Sequence, residues 1–384
     1  MTRHQASPLQ VVVKYCDSRS GGEGAAYRFC QYLKEQKQAF IMVCGKDKEK
    51  KKGKHELAEH VVELGMLRPG RLLKYGSFFR RAEQYLATNK GLAFSFERVR
   101  GAHVLRLAGA HACFLQQSLE GLSVQEKRKK ERARSWDIYN KYAVWQERRA
   151  IEYPTVKRII VPSYMNKHDL HSLYPEQSSI VSVIHNGIDT KRFQPAQGPE
   201  REEARAHFCQ ELLADGPKRV VGFAGNVFQR KGLSHCIESL ARLPDDVVLL
   251  VAGADNKEPY LQQAQSLGVA QRIRFLGHIT NMPRFFHALD VFCLPSRNDP
   301  FGFVIAESVA AGVPVVTTAN AGGAEILRQG YSGMVCSQLD SEAVAKAIAE
   351  TLVLDTHGIA ATAPSATDMY AHYLAVAEDA HSAL

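Results

Sequence analysis

Apolar residues come in short blocks along this chain, and the blocks change period as they go. Leu9–Val13 is an apolar run of strand length, and Gly21-Gly22 follows it. Ala25, Phe29, Tyr32 and Leu33 then recur at spacings of three and four, and Phe40–Cys44 is apolar again. Such an order predicts strand, glycine turn, helix and strand, a βαβ unit. Leu92–Phe96, Val104–Leu107, Arg158–Val161 and Ser179–Ile184 read as further strands, and Lys46–Lys54 as a lysine-rich loop. No Pro or Gly occurs from Leu122 to Tyr153, which predicts one long helix there. A polar stretch, Gln194–Arg205, then breaks the pattern before the rhythm restarts. Arg219–Ala224, Val247–Ala252, Ile273–Leu276, Val291–Leu294 and Val313–Thr317 read as strands. Leu233–Leu243, Pro259–Leu267, Met282–Leu289 and Val304–Ala311 read as the helices between and after them. Strict alternation predicts an α/β fold of parallel sheets covered on both faces. The expected division is a domain over 1–190, a second over 191–364, and a final helix over 365–384 returning to the first. Two such domains place a ligand cleft at their carboxyl strand ends.

Composition adds exclusions. A hydrophobic content of 45% and a charged content of 23% are ordinary for a folded globular chain, which sets disorder aside. Met1–Gln10 has no apolar core, so no targeting segment is expected. The strongest apolar run, Val247–Ala254, has eight residues where a bilayer span needs about 20. Eight cysteines are scattered without a CxxC pair, which suits a reducing cytoplasm and gives no zinc pattern. Charge is the informative quantity. The net +9 is split: residues 1–190 hold 33 Lys+Arg against 19 Asp+Glu, while residues 191–384 hold 16 against 21. Such asymmetry points the first half at a polyanion or an anionic membrane, against the alternative of a solvated surface biased by chance.

Three segments carry candidate chemistry. Gly21 and Gly22, between the first strand and helix, let backbone amides approach a phosphate, though a double glycine also serves as a plain turn. Gly225–Gly232 reads Gly-Asn-Val-Phe-Gln-Arg-Lys-Gly, and Arg230 with Lys231 at a strand end can neutralise a diphosphate; the alternative is a pair of solvated cations. In Asp299-Pro-Phe-Gly-Phe-Val-Ile-Ala-Glu307, two carboxylates stand where each can accept from a different hydroxyl. The amides of Phe301, Gly302, Phe303 and Val304 open a helix there. Asp299 as a helix cap and Glu307 in a surface pair is the plainer reading.

Taken together these motifs resemble the retaining glycosyltransferases of family 4, whose fold is GT-B, two Rossmann-like domains. Leu294-Pro295-Ser296, Ala310–Val316, Gly322-Gly323-Ala324-Glu325 and His185-Asn186-Gly187-Ile188-Asp189 fit the same family, most nearly its WaaG-type lipopolysaccharide core glucosyltransferases. The resemblance implies that Arg230 and Lys231 hold the donor diphosphate, Glu307 the ribose hydroxyls and Asp299 the hexose, with amides of Phe301 to Val304 near the phosphates. Gly21 and Gly22 match its N-terminal glycine loop. Asp299 departs from the family's Glu by one methylene, and Asn226 stands where many relatives carry arginine. A first-domain histidine is the other catalytic candidate, with His111 preferred to His103 because it follows a strand end.

No pair of carboxylates is spaced for double displacement, and the resemblance implies a front-face attack assisted by the departing diphosphate. With no Asp-X-Asp triplet, no metal and no cofactor are expected; the donor is expected to be a UDP-hexose such as UDP-glucose, the acceptor a glycolipid. Lys127, Arg128, Lys129, Lys130, Arg132 and Arg134, with Trp136, Tyr139, Tyr142 and Trp145 following, suit a helix at an anionic lipid surface. A core role for Tyr142 and Trp145 is the competing reading. The expected location is thus the inner face of the cytoplasmic membrane, peripherally bound. Nucleic acid is the rival polyanion and has no helix-turn-helix, RNP or zinc pattern behind it.

Overall fold

Every strand pairing among the described residues in the computed structural model of this protein is parallel. The structure describes all residues except 1–6, 19–20, 53–54, 120–123, 211, 213–217, 328–329, 331, 355–357 and 384. Two units form: Met1–Ile184 with Met369–Leu384, and His185–Asp368. The first holds β1 (Leu9–Cys16), β2 (Phe40–Asp47), β3 (Val61–Glu63), β4 (Ala93–Ser95), β5 (Val104–Arg106), β6 (Arg158–Val161) and β7 (Val181–Val183), in the order β3-β2-β1-β4-β5-β6-β7. The second holds β8 (Arg219–Ala224), β9 (Val247–Ala252), β10 (Ile273–Gly277), β11 (Val291–Leu294), β12 (Val315–Thr318) and β13 (Gly333–Cys336), in the order β10-β9-β8-β11-β12-β13.

Unbroken apolar runs become central strands because helices cover both faces of such a sheet. All six residues of β9 are buried, and Val11, Val12 and Val13 of β1 are fully so. On the first sheet, Val12, Val43, Phe78 and Ala82 pack one cluster, and Leu105, Ile159 and Leu170 pack another. The last helix, Ala366–Ser382, lays Tyr373 against Phe29 and Phe94 at 5.6 Å between ring centres. Arg106 Nε donates to the Tyr373 hydroxyl at 3.2 Å, and Arg158 pairs with Asp379 at 2.6 Å, so polar bonds pin this helix to the first sheet as well.

Some expectations change. The long helix expected over Leu122–Tyr153 is two helices, Val124–Ser135 and Ile138–Ile151; Leu122 itself lies outside the described residues. The break is chemical: Asp137 leaves the helical conformation and its carboxylate accepts from Asn140 N at 3.1 Å, capping the second helix. The lysine-rich loop begins later than expected, since β2 runs on to Asp47 before a 3₁₀ turn at Glu49–Lys52. Strands β3 and β13, three and four residues long, were not anticipated, being too short to show a period.

Candidate active site

Each loop of interest in the second unit leaves the carboxyl end of a strand. After β8 the chain makes a single helical turn, Phe228–Lys231, whose first amide donates to Asp255 Oδ2 at 2.8 Å, a carboxylate supplied by the loop after β9. Gly232 ends the turn at φ +82°, and a Cβ there would stand 2.0 Å from the Pro295 carbonyl oxygen. Only glycine lets the turn lie so close to the segment after β11. Two bonds then bind the segments: Arg297 N donates to the Arg230 carbonyl, and Arg230 Nη1 donates to the Asn298 carbonyl, each at 2.9 Å.

This docking brings Lys231 and Asp299 together. Lys231 Nζ donates to Asp299 Oδ2, and both side chains are nearly buried, at 12% and 9% exposure. The ammonium and carboxylate, assigned separate tasks by the sequence, form one ion pair. The Asp299 backbone is fixed too, since its amide donates to Asn320 O and its carbonyl accepts from Gly322 N, both at 2.9 Å. Asp299 is not the helix cap. That place belongs to Gly302, at φ +79° and without a side-chain bond, ahead of the helix Phe303–Ala310. The opening amides of that helix, including Phe303 and Val304, lack the carbonyl a preceding turn would supply. Phe301 is buried, and Glu307 lies half-buried on the second turn.

His185 joins the same neighbourhood, which its place in the junction turn did not suggest. Its Nε2 lies 3.0 Å from Glu325 Oε2, and its ring stacks on Phe301 at 6.2 Å. The signal was present in two separate motifs, His185-Asn186-Gly187 and Gly322–Glu325, with nothing local to join them. Asp255 had no motif at all.

In the first unit Gly21 and Gly22 are the first two residues of the helix Gly21–Glu35 rather than a loop before it. A Cβ at Gly22 would meet nothing within 4 Å, so space alone does not require glycine there. The two histidines separate by strand end. His103 precedes β5, and its Nδ1 accepts from Ala93 N at 3.0 Å, a structural bond on the amino side of the sheet. His111 follows the carboxyl end of β5 and opens the helix His111–Gln117. Its amide donates to Glu147 Oε2 at 2.9 Å; that fully buried carboxylate also accepts from Arg98 Nε at 2.6 Å and the Tyr174 hydroxyl at 3.3 Å. Asn140 Nδ2 donates to Asp137 Oδ2 at 2.7 Å, so Asn140 Oδ1 faces His111 Nε2 at 3.0 Å. With Nε2 as donor, Nδ1 is the ring nitrogen carrying the lone pair. Burial, with Arg98 nearby, holds this imidazole below its usual pKa.

The basic segment also departs from expectation. Helix Val124–Ser135 has no buried residue, and its cations spread around it without an apolar stripe. Arg128, Lys129, Lys130 and Arg132 are exposed; Lys127 and Arg134 are half-buried, and Arg134 donates to Ser118 Oγ. Exposed apolar surface comes just after the helix, at Trp136 (86% exposed) and Ile138. Tyr139 packs on Tyr75, and Tyr142 packs on Phe79, while Trp145 is half-exposed over Arg149.

Among the described residues the group with metal-ligand character is Cys16, Asp47 and His55, their donor atoms within 4.8 Å of one another. His55 Nε2 already pairs with Asp47 at 3.0 Å, and burial pushes the Cys16 thiol well above its usual pKa, which disfavours the thiolate a metal would need. Asp255, Asp299 and Glu307 are not part of such a group. No helix among the described residues is long and apolar enough to cross a membrane.

Residues 19–192 match the family model described as Glycosyltransferase Family 4, and residues 205–357 match that described as Glycosyl transferases group 1. A D-inositol 3-phosphate glycosyltransferase of Mycolicibacterium gilvum (strain PYR-GCK) is 31% identical over 224 residues, 56% of this chain and 49% of that protein. The chain spans about half the length of the curated relatives it matches. The solved structure of WaaG, a glycosyltransferase involved in lipopolysaccharide biosynthesis, is similar with a TM-score of 0.70 at 18% identity, over 97% of this chain and 98% of that one. Anabaena HepE in complex with UDP-glucose gives 0.66 at 18%, over 98% and 99%. At such identities the likeness is one of fold. Two parallel-sheet Rossmann-like domains of this order make the fold GT-B. The chain belongs to the glycosyltransferases of family 4, whose two models together span most of it.

Proposed function

We propose that this protein transfers a hexose, glucose from UDP-glucose, with retention of configuration and without a metal, onto a lipopolysaccharide-core or related glycolipid. The observation that carries the reading is the docking of the Arg230-Lys231 turn against the Asn298–Asp299 segment at the carboxyl edge of the second sheet. A diphosphate set there meets a guanidinium fork and an ammonium, with helix amides from Gly302 to Val304 at hand. Glu307 accepts from the ribose hydroxyls and Asp299 from the hexose. Within the first domain, Gly21 and Gly22 open the helix after β1 and offer its first amides to an anionic group.

The chemistry asked of the protein is positioning and charge stabilisation. As the bond to the anomeric carbon breaks, Lys231 and Arg230 carry the growing charge on the departing UDP, whose oxygen takes the acceptor proton on the same face. His111, neutral at physiological pH and with Nδ1 as its acceptor nitrogen, orients the acceptor. The acceptor binds the first domain, where the exposed cations Arg128, Lys129, Lys130 and Arg132, flanked by Lys127 and Arg134, hold an anionic leaflet on the cytoplasmic side. Nucleic acid is not a partner in this reading.

Release of nucleoside diphosphate, measured with a panel of nucleotide sugars with and without core glycolipid, tests the proposal. Release with UDP-glucose that rises when glycolipid is added is expected. Release with another sugar alone would reassign the donor, in a family-4 transferase for a different surface polysaccharide. Donor binding without turnover would leave a catalytically impaired sugar-binding paralogue.

A further inference from the structure

A second concave surface lies wholly within the first unit, and the reading above does not use it. It is a cavity of about 860 Å³ at the carboxyl ends of β1, β2 and β3, with Tyr15, Lys46, Lys48, Glu63, Arg68 and Lys74 among its lining. Its size is that of a pocket for a small ligand. Its electrostatics are one-sided. Lys48 is neutralised by Asp17 at 2.9 Å, but Lys46, Arg68 and Lys74 have no carboxylate partner among the described residues, and Glu63 is the one acid in the lining. Lys46 and Lys74 are half-buried, so they are not cations waving in bulk water. Lys48 and Lys74 both stand over the Tyr15 ring, at 4.1 and 5.2 Å, which crowds like charges around one phenol. The bond to the Tyr15 phenol keeps Lys74 charged, its pKa raised, so the lining gathers like charges that a dianion in their midst would neutralise.

We propose that this cavity binds a phosphomonoester carried by the acceptor sugar. The inference rests on the transferase reading for its purpose, and its binding test does not depend on turnover. Phosphate is favoured over carboxylate by the donor set. Compact ammonium groups from Lys46 and Lys74 suit a tetrahedral dianion approached from several sides, whereas a planar carboxylate is matched by an arginine fork. Arg68 is the sole arginine of the lining and stands exposed. The carboxyl edge of a parallel sheet is also where ligands of such folds sit.

The test compares wild type with Lys46→Gln/Lys74→Gln and the charge-keeping Lys46→Arg/Lys74→Arg. Isothermal titration with glucose 6-phosphate, inorganic phosphate and glucose reads the site directly. Wild type should bind both phosphates and not glucose; the Gln pair should weaken phosphate binding at least tenfold and the Arg pair should recover it. In the second arm, acceptor KM is measured on a core glycolipid before and after phosphatase treatment. A KM rise in the Gln pair that appears only with the phosphorylated glycolipid places the phosphate on the lipid. An unchanged glycolipid KM with weakened glucose 6-phosphate binding places it on a free sugar phosphate. Acceptor-free UDP release should be the same in all three proteins; its absence from every one of them would sink the transferase reading and leave the binding result standing. Equal phosphate binding by wild type and a folded Gln pair, or none by wild type, overturns the proposal.

Discussion

Lys231 and Asp299 share one nearly buried ion pair, so each controls the other. Removing the ammonium leaves a carboxylate with little water and no cation, a loss of about 3–5 kcal/mol by the usual cost of breaking a buried pair. Lys231→Ala should therefore lower the unfolding free energy as well as weaken donor binding about 10–100-fold. Adding Asp299→Asn should recover stability and not affinity, measured by thermal unfolding and donor titration side by side. Equal affinity in wild type and a folded Lys231→Ala would remove Lys231 from the diphosphate site. Glu307 sits apart, on the helix after Gly302. As a ribose ligand, it should make Glu307→Gln slow every nucleotide sugar alike, whereas Asp299→Asn should change the ranking of hexoses. A Glu307→Gln defect that depends on the hexose would exchange the two roles. The cations and carboxylates were legible because each lies in a compact motif beside a strand end. Their pairing was not, since 68 residues separate them and only the turn at Gly232 shows that the two loops dock. Asp255, Glu147 and Arg98 were invisible for the same reason: they act on partners 27 to 49 residues away.

The strands and helices read from local period lie within a few residues of the observed ones, but the helices Arg71–Thr88 and Ser341–Thr351 went unread, as did elements decided by one capping group or by neighbouring strands. Asp137 splits a segment free of Pro and Gly, and the split is what orients Asn140 toward His111. Glu147 serves a similar purpose further along the same helix, holding both Arg98 and the first amide of the His111 helix. Glu147→Ala should cost about 3–5 kcal/mol of stability, because Arg98 keeps its charge and its bond to Gly109 O but loses its carboxylate. A loss under 1 kcal/mol in chemical unfolding would show that the network is dispensable. The joint between β4 and β5 carries a pH dependence. His103 is held below its usual pKa, first by burial and then by Lys157, and its Nδ1 must stay unprotonated to accept from Ala93. The unfolded chain binds the proton more tightly, beginning near pH 6.5, so stability is full above that value and falls as pH drops below it. His103→Gln should flatten this acid limb in unfolding measured from pH 7.5 to 5, after allowance for His111 and His235, which shift the same way. An identical limb in the variant would assign the loss elsewhere.

At the scale of the molecule the question is where the positive charge acts. Six cations fall within eight positions from Lys127 to Arg134, opposed in that span by Glu131 alone. A helix that enters the lipid interface needs an apolar face, and Val124–Ser135 has none. Its attraction to a membrane is therefore Coulombic, with Trp136 and Ile138 as the nearby apolar contacts. Each cation near an anionic leaflet contributes about 1 kcal/mol, fading beyond a Debye length of about 8 Å at physiological salt. Arg128, Lys129, Lys130 and Arg132 are the exposed four. Replacing these four by Gln should release the protein from vesicles of anionic lipid and leave acceptor-free donor hydrolysis within about twofold, as a surface change far from a buried pair does little to folding. Trp136→Ala should weaken binding less, and mainly at high salt, where the Coulombic share is screened and the apolar share is not. Co-sedimentation of the three proteins with phosphatidylglycerol-rich and neutral vesicles across a salt series separates these contributions. Equal binding by wild type and the four-Gln variant, unaffected by salt, would return the segment to a solvated surface and leave the glycolipid to be reached by some other face of the first domain.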